Sequence, residues 1–494
     1  MNLAQRTITS VSWNTMANLS RVVVLFARSV LLARLLPVET FGIYTSAAVT
    51  VGLTSSLVGF GLGDAFLHRA SETEDENAAA SIYFTLVMIF TAIWSVGVVV
   101  FTLWFVEGEL QLAFLVLLIT TAGGFFTSAP RMILVRRVAH RRLSLFQFVD
   151  GILTTAVSIS LAAMGYTIWA LLATNLSTLT LSIVMFYVWR PIWRPRLMWD
   201  GARVRYFLHF GSRQILGNVL SSALDKVDDL WTGYFLGQTA LGLYSRAYTF
   251  ATYPRQILGV PINSVATGTY AELKTDRTRL SKAFFRSNAL LVRSGFLFAG
   301  LLTLLAPEMI RILLGDKWLP MLDIFRLMLI FVLLDPIKLT IASLFSATGN
   351  PQIMVWTQLI QLAILAIGLF TLGQWYGTLG VAVSVDVMIV VGVALLLWQS
   401  RKFVDYSIRH LFLMPTVSTL LGVLLARLAI EIPGVLGNDW RTGVVKGVTF
   451  LLVYGVGLWI TERQATLAML RPALAVLPTP IAKRLSRILR LPPG

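Results

Sequence analysis

Four polar side chains interrupt the first apolar stretch of the sequence: Asn14, Asn18, Arg21 and Arg28. Their spacings of four, three and seven put them on one helical face. A second stripe runs through Gln214, Asn218, Ser221, Asp225, Asp228 and Thr232, with Lys226 and Asp229 beside it. A charge at bilayer depth costs at least about 2.5–3.5 kcal/mol on insertion scales, so these groups face a wet cavity or a partner rather than lipid. The two stripes predict a cavity with cationic Arg21 and Arg28 on one wall and Asp225 and Asp228 on the other. A structural ion pair between the arginines and the aspartates is the alternative. Tyr244, Tyr248, Thr252 and Arg255 follow at helical spacing and suit either a sugar-binding wall or a packing face. Asp150, Asp335 and Asp386 are candidates for proton or sodium coupling, or else satisfied core carboxyls. Arg34 sits near a span end and is expected to snorkel.

The elements that carry these residues are membrane helices. Of 494 residues 56% are hydrophobic and 13% charged, and the mean hydropathy is +0.75. A helix of about 20 apolar residues crosses a hydrocarbon core of about 30 Å. The apolar runs are continuous rather than alternating, which favours helices over a barrel. Hydropathy predicts about 14 spans, near 11–34, 41–65, 80–104, 110–128, 144–163, 167–189, 207–234, 241–267, 288–306, 321–345, 353–373, 377–398, 411–428 and 444–460. The N-terminus reads as a retained helix, not a signal peptide.

The net charge of +17 follows topology rather than nucleic acid. With the N-terminus in the cytoplasm, the inside loops hold Arg131, Arg136 and Arg137, then Arg190, Arg194 and Arg196, then Lys274, Arg277, Arg279, Lys282 and Arg286, then Arg401 and Lys402. The outside loops hold little beyond Arg34, Arg311, Lys317 and Arg441. That is the positive-inside pattern, with both termini cytoplasmic. The acidic run 71–77 places carboxylates at the start of the next helix, where they are favourable. The tail from Pro478 alternates Ile481, Leu485, Ile488 and Leu489 with Lys483, Arg484, Arg487 and Arg490, as an interfacial helix does.

One stretch is written twice. "LLPVETFGIYTSA" begins at Leu35, and "FLGQTALGLYSRA" begins at Phe235. Leu36, Gly42, Tyr44 and Ala47 fall on Leu236, Gly242, Tyr244 and Ala247. The same offset lays Ser12 on Ser212, Asn14 on Gln214, Asn18 on Asn218 and Arg28 on Asp228. The expected fold is all-α and polytopic: two six-helix bundles in parallel repeat, 1–200 and 201–405, plus two C-terminal helices in 406–462 and a basic tail, 463–494.

No catalytic pattern is present. There is no P-loop and no HExxH, the chain has four histidines, and cysteine is absent. "GFGLGD" at 59–64 has no strand before it; its glycines suit close helix packing. The chain is read as a transporter, not an enzyme, with no cofactor and with coupling to protons or sodium ions left open.

"ARLLPVETFGIYTSA", "LDKVDDLWTGYFLGQTALGLYSRAY", "YAELKTDRTRLSKAFFRSN" and "LLGDKWLPMLDIFRLM" together resemble the bacterial polysaccharide transporter family. These are O-antigen and colanic-acid type flippases of the multidrug/oligosaccharidyl-lipid/polysaccharide exporter superfamily. The resemblance implies two six-helix lobes, alternating access, and passage of a polyprenyl-diphosphate-linked oligosaccharide from the inner to the outer leaflet of the bacterial inner membrane. It implies that the last two helices border a lipid-tail groove. Membrane lipids, a polysaccharide polymerase and export proteins are the expected partners, and nucleic acid is not. Arg21 and Arg28 would grip the diphosphate, while Asn14, Asn18, Gln214 and Asn218 hydrogen-bond sugar or phosphate, with Tyr248 and Arg255 beside them. Asp225, Asp228 and Asp386 would serve coupling or gating. A cation-coupled multidrug exporter, a lipid II flippase, and a membrane polysaccharide polymerase or ligase are the competing readings.

Overall fold

An apolar segment entering lipid must satisfy its backbone hydrogen bonds internally, which a helix does within one segment. The computed structural model of the protein describes residues 22–68, 75–137, 140–431 and 439–461, and among the described residues every regular element is a helix. In chain order these are α1 (22–35), α2 (Val38–Gly59), α3 (Leu62–His68), α4 (Glu76–Phe105), α5 (Gly108–Phe126), α6 (Ser128–Arg136), α7 (His140–Ala163), α8 (Thr167–Ile183) and α9 (Gly201–Leu224). There follow α10 (Val227–Phe235), α11 (Gln238–Ala251), α12 (Val260–Leu273), α13 (Arg277–Met309), α14 (Leu322–Ala347), α15 (Gln352–Gly368), α16 (Gln374–Ser400), α17 (Ile408–Ala429) and α18 (Asp439–Thr461).

Ten helical stretches among the described residues are long and apolar enough to cross a membrane, so the chain is a multi-pass membrane protein. Three of the expected spans are interrupted among the described residues. The expected span 41–65 breaks at Phe60 and Gly61, both at positive φ. The span 207–234 breaks at Asp225–Lys226, between α9 and α10. The span 241–267 is interrupted by a π-helical segment, Arg255–Gly259. Averaged hydropathy reads composition and is blind to such breaks. Helix starts, by contrast, are set by residues visible in the sequence. Asp75 caps α4 by accepting from the Asn77 amide at 2.9 Å, Asp200 caps α9 from Ala202 at 3.1 Å, and Asp276 caps α13 from Arg279 at 3.0 Å.

The chain divides into two compact units. The first comprises residues up to 249 together with 358–385. Its core holds Ala47, Val51, Phe114, Leu117 and Leu172 around α2, α5 and α8. A second cluster, with Phe66, Ile82, Tyr83, Ile133 and Phe207, joins α3, α4, α6 and α9.

Within this unit the doubled stretch meets itself. Gly42 lies so close to α11 that a side chain there would strike the Gln238 carbonyl, and Gly242 would strike the Val38 carbonyl. Gly42 and Gly242 are equivalent by the offset of 200, as are Val38 and Gln238, so the contact is reciprocal. Between them Thr45 Oγ1 donates to Ser245 Oγ at 3.3 Å, again a pair of equivalent positions. Ser46 Oγ donates to Gln238 Oε1 at 2.9 Å. Small residues that let backbones approach are the usual basis of helix association in membranes.

The second unit comprises 250–357 and residues from 386 onward. There α13 is the shared support, with α12, α14, α17 and α18 packed on it. The fully buried Phe450 of α18 fills the space beside Gly300 of α13 and Gly422 of α17. Tyr454 donates to the Arg293 carbonyl at 2.6 Å, and Lys446 pairs with Glu308 at 2.6 Å. The two C-terminal helices are thus tied to α13.

Gly42→Ala and Gly242→Ala should each cost about 1–3 kcal/mol through overpacking, measured as a lower apparent Tm of the detergent-purified protein. Gly268→Ala, where a side chain meets nothing within 4 Å, should not lower it.

Candidate functional site

The first unit gathers its charges at the break between α9 and α10. Asp225 closes α9, Lys226 leaves helical geometry at φ −139°, and α10 restarts at Val227 with Asp228 and Asp229 in its first turn. Carboxylates in a helix's first turn are favoured by the unpaired amides there. Asp228 is 7% exposed and accepts from the Tyr244 hydroxyl at 2.6 Å. Four residues on, Thr232 is fully buried. Lys226 extends to Gly52 of α2, where a side chain would collide with its Nζ. Arg246 lies 4.6 Å from the Phe41 ring centre, within cation–π range. Discontinuous helices of this kind expose backbone polar groups at depth, and they are tolerated where they line protein or water.

The polar stripe of α9 splits in two. Gln214, Asn218 and Asp225 are exposed, whereas Asp228 and Thr232 are buried. Ser221 accepts from Gln358 Nε2 of α15 at 2.8 Å. Arg28, half-buried on α1, donates from Nη1 to Thr154 Oγ1 of α7 at 3.1 Å. One turn before Thr154, Asp150 accepts from Thr178 of α8 at 2.6 Å. Asn175, also on α8, donates to the Tyr44 hydroxyl at 3.0 Å. A polar seam thus runs among α1, α2, α7 and α8. Asn14, Asn18 and Arg21 lie outside the described residues.

The second unit holds its own charged pair. Arg255 opens the π-helical segment and meets Asp335 of α14 at 2.9 Å. Asp335 is 4% exposed and precedes Pro336, whose ring abuts Gly259. The same two helices continue the polar contact: Ser343 donates to Asn263 Oδ1 at 3.1 Å and bonds Thr267 at 2.8 Å. Asp386 of α16 is 6% exposed, and both its carboxylate oxygens are buried without a hydrogen bond.

Several groupings differ from the expected face. Tyr244 is 1% exposed and spends its hydroxyl on Asp228, so it is a buried donor rather than a sugar platform. Tyr248 is half-buried on α11. The helical spacing from Tyr244 to Arg255 is broken, because α11 ends at Ala251 and Arg255 belongs to the π-helical segment. Thr154, Thr178 and Asn175 were not singled out by their sequence. Thr154 sits four residues after Asp150, and Asn175 three before Thr178; such spacing among apolar neighbours was the available signal.

Comparison with known proteins fits this architecture. A family profile described as polysaccharide biosynthesis protein matches residues 31–323. The succinoglycan biosynthesis transport protein ExoT of Rhizobium meliloti is 24% identical, with 95% of this chain and 96% of that protein covered. The lipopolysaccharide biosynthesis protein WzxC of Escherichia coli is 23% identical over 78% of each. A solved structure of the lipid II flippase MurJ, in an inward closed conformation, superposes with a TM-score of 0.75 at 16% identity, covering 91% of this chain and 98% of that one. This last likeness establishes the fold.

Tyr244→Phe removes the donor to Asp228 and should cost about 1–3 kcal/mol, the penalty of a buried polar group left unpaired. Asp228→Asn keeps an acceptor for Tyr244 and should cost less, with both read as shifts in apparent Tm in detergent.

Proposed function

This chain belongs to the polysaccharide biosynthesis protein family, and we propose that it is a flippase. It carries a polyprenyl-diphosphate-linked oligosaccharide from the inner to the outer leaflet of a bacterial inner membrane, by alternating access, with both its termini in the cytoplasm. Arg28 carries the proposal: it is a half-buried guanidinium on α1, bonded to a hydroxyl in a seam of polar side chains. Arginine stays charged and meets phosphate oxygens with two parallel N–H donors. Arg21 lies seven residues earlier on the same stripe. Asn14, Asn18, Gln214 and Asn218 supply amides for sugar and phosphate oxygens. Tyr248 and Arg255 complete the set of residues proposed to bind substrate.

The relatives named for succinoglycan transport and lipopolysaccharide biosynthesis support a glycan cargo. The polyprenyl tail stays in lipid while the head group crosses. Asp225, Asp228 and Asp386 provide coupling or gating, through a proton or a sodium ion. The reading requires no bound cofactor and no chemical step. A polysaccharide polymerase and export proteins act on the delivered unit.

A second reading, a cation-coupled exporter of the same superfamily, is favoured by the aspartates at the α9–α10 break.

Deleting the gene in its host should trap lipid-linked repeat units and remove the surface polymer. Complementation with Arg28→Ala should leave both defects in place at normal protein abundance, and Arg28→Lys should restore export in part. Normal polymer from Arg28→Ala would sink the assignment. Intact glycans with altered drug tolerance would favour the exporter.

A further inference from the structure

At one edge of the second unit, the first turns of α13 and the linker after α16 enclose an open cavity of about 360 Å³, lined by Thr278, Ser281, Lys282, Phe285, Arg286 and Asp405. The cavity is built rather than incidental. Arg277 clamps the linker to α13: its guanidinium donates to both Asp405 carboxylate oxygens, at 2.9 and 2.8 Å, and to the carbonyls of Lys402 and Arg401, at 2.9 and 3.1 Å. The Asp405 amide donates to Ser281 Oγ at 2.8 Å from the same direction. The hydrogen bonds from Arg277 hold the Asp405 carboxyl below the usual carboxylate range, so Arg277 and Asp405 cancel as a charged pair.

Two cations remain. Lys282 and Arg286 are exposed, stand one helical turn apart on the same face, and have no partner among the described residues. Thr278 adds a hydroxyl one turn before Lys282, and Phe285 supplies an apolar wall. The site lies on the first turns of the helical stretch Arg277–Leu314, which is long and apolar enough to cross a membrane. By the charge asymmetry of the loops this is the cytoplasmic face.

We propose that this cavity binds the phosphate headgroup of an anionic phospholipid from the adjoining leaflet. Lys282 and Arg286 hold the phosphate oxygens, the Thr278 hydroxyl donates to the headgroup, and the first acyl carbons lie along Phe285. Basic pockets on the cytoplasmic side of membrane helices bind acidic headgroups. The preformed clamp of Arg277 means that little ordering is needed on binding.

The test uses the full chain in detergent, titrated with phosphatidylglycerol, phosphatidylcholine or undecaprenyl diphosphate and followed by native mass spectrometry. Phosphatidylglycerol should bind in preference to phosphatidylcholine. The double substitution Lys282→Gln with Arg286→Gln should weaken phosphatidylglycerol binding by about tenfold or more, the scale expected for two interfacial cations. It should leave phosphatidylcholine adducts and the size-exclusion profile unchanged. Lys282→Arg with Arg286→Lys should retain binding, as should Arg279→Gln, which alters a cation outside the cavity. Equal binding of the two phospholipids, or undiminished phosphatidylglycerol binding by the glutamine variant, would overturn the proposal. So would a preference for undecaprenyl diphosphate that the glutamine variant loses, because the cavity would then belong to the cargo.

Discussion

Two backbones in contact without side chains between them set the geometry of the first unit. Gly42 faces the Gln238 carbonyl while Gly242 faces the Val38 carbonyl. In lipid there is no hydrophobic gain from joining two apolar helices, so association rests on dispersion and close fit. A glycine against a carbonyl is the shortest approach that α2 and α11 can make. The hydroxyl pair Thr45–Ser245 lies between the two glycine contacts. The α10–α11 turn, Tyr244 and its bond to Asp228 are held by this approach. The aromatic position of the doubled stretch is used twice, but with opposite polarity: the Tyr44 hydroxyl accepts from Asn175, and the Tyr244 hydroxyl donates to Asp228.

Charge placement follows from the same solvent. An ionisable group inside a span is tolerated only where another polar group answers it. Three of the buried acids are answered differently: Asp228 by a tyrosine hydroxyl, Asp335 by a guanidinium, Glu308 by an ammonium. Breaks in the helices accompany these groups. The α9–α10 discontinuity carries Asp225, Lys226, Asp228 and Asp229, and the π-helical segment begins at Arg255. Such irregularities recur at functional positions in membrane transporters because unwound backbone can serve a ligand or an ion.

The helical class, the repeat and the suspect charges were legible because each leaves a periodic or compositional trace. The doubled stretch at 35–47 and 235–247 pointed to the very residues that touch. Asp228 and Arg255 stood out as charges within expected spans. What escaped was their pairing. A stripe on a helical wheel predicts which residues share a face, but Asp228 is buried against Tyr244 while Asp225, three residues before, is exposed. The interruption at Asp225–Lys226 and the π-turn at Arg255 reset the face; the first carries no proline or glycine to announce it, and at the second Pro254 and Gly259 flank a break that averaged hydropathy does not register. Thr154 and Thr178 were silent for another reason: a threonine in a membrane helix commonly bonds its own preceding turn, as both Thr154 and Thr174 do, so its type alone does not reveal a partner on another helix.

The packing of Phe450 has a consequence for which substitutions the second unit tolerates. Its ring occupies a hollow that exists only because Gly300 and Gly422 lack side chains. In a chain without α17 and α18, glycine at 300 would gain nothing in the middle of the long helix α13 and would forfeit helix propensity relative to alanine. A side chain at residue 300 or 422 would displace the ring, so the seat of α18 depends on two glycines that lie on two other helices.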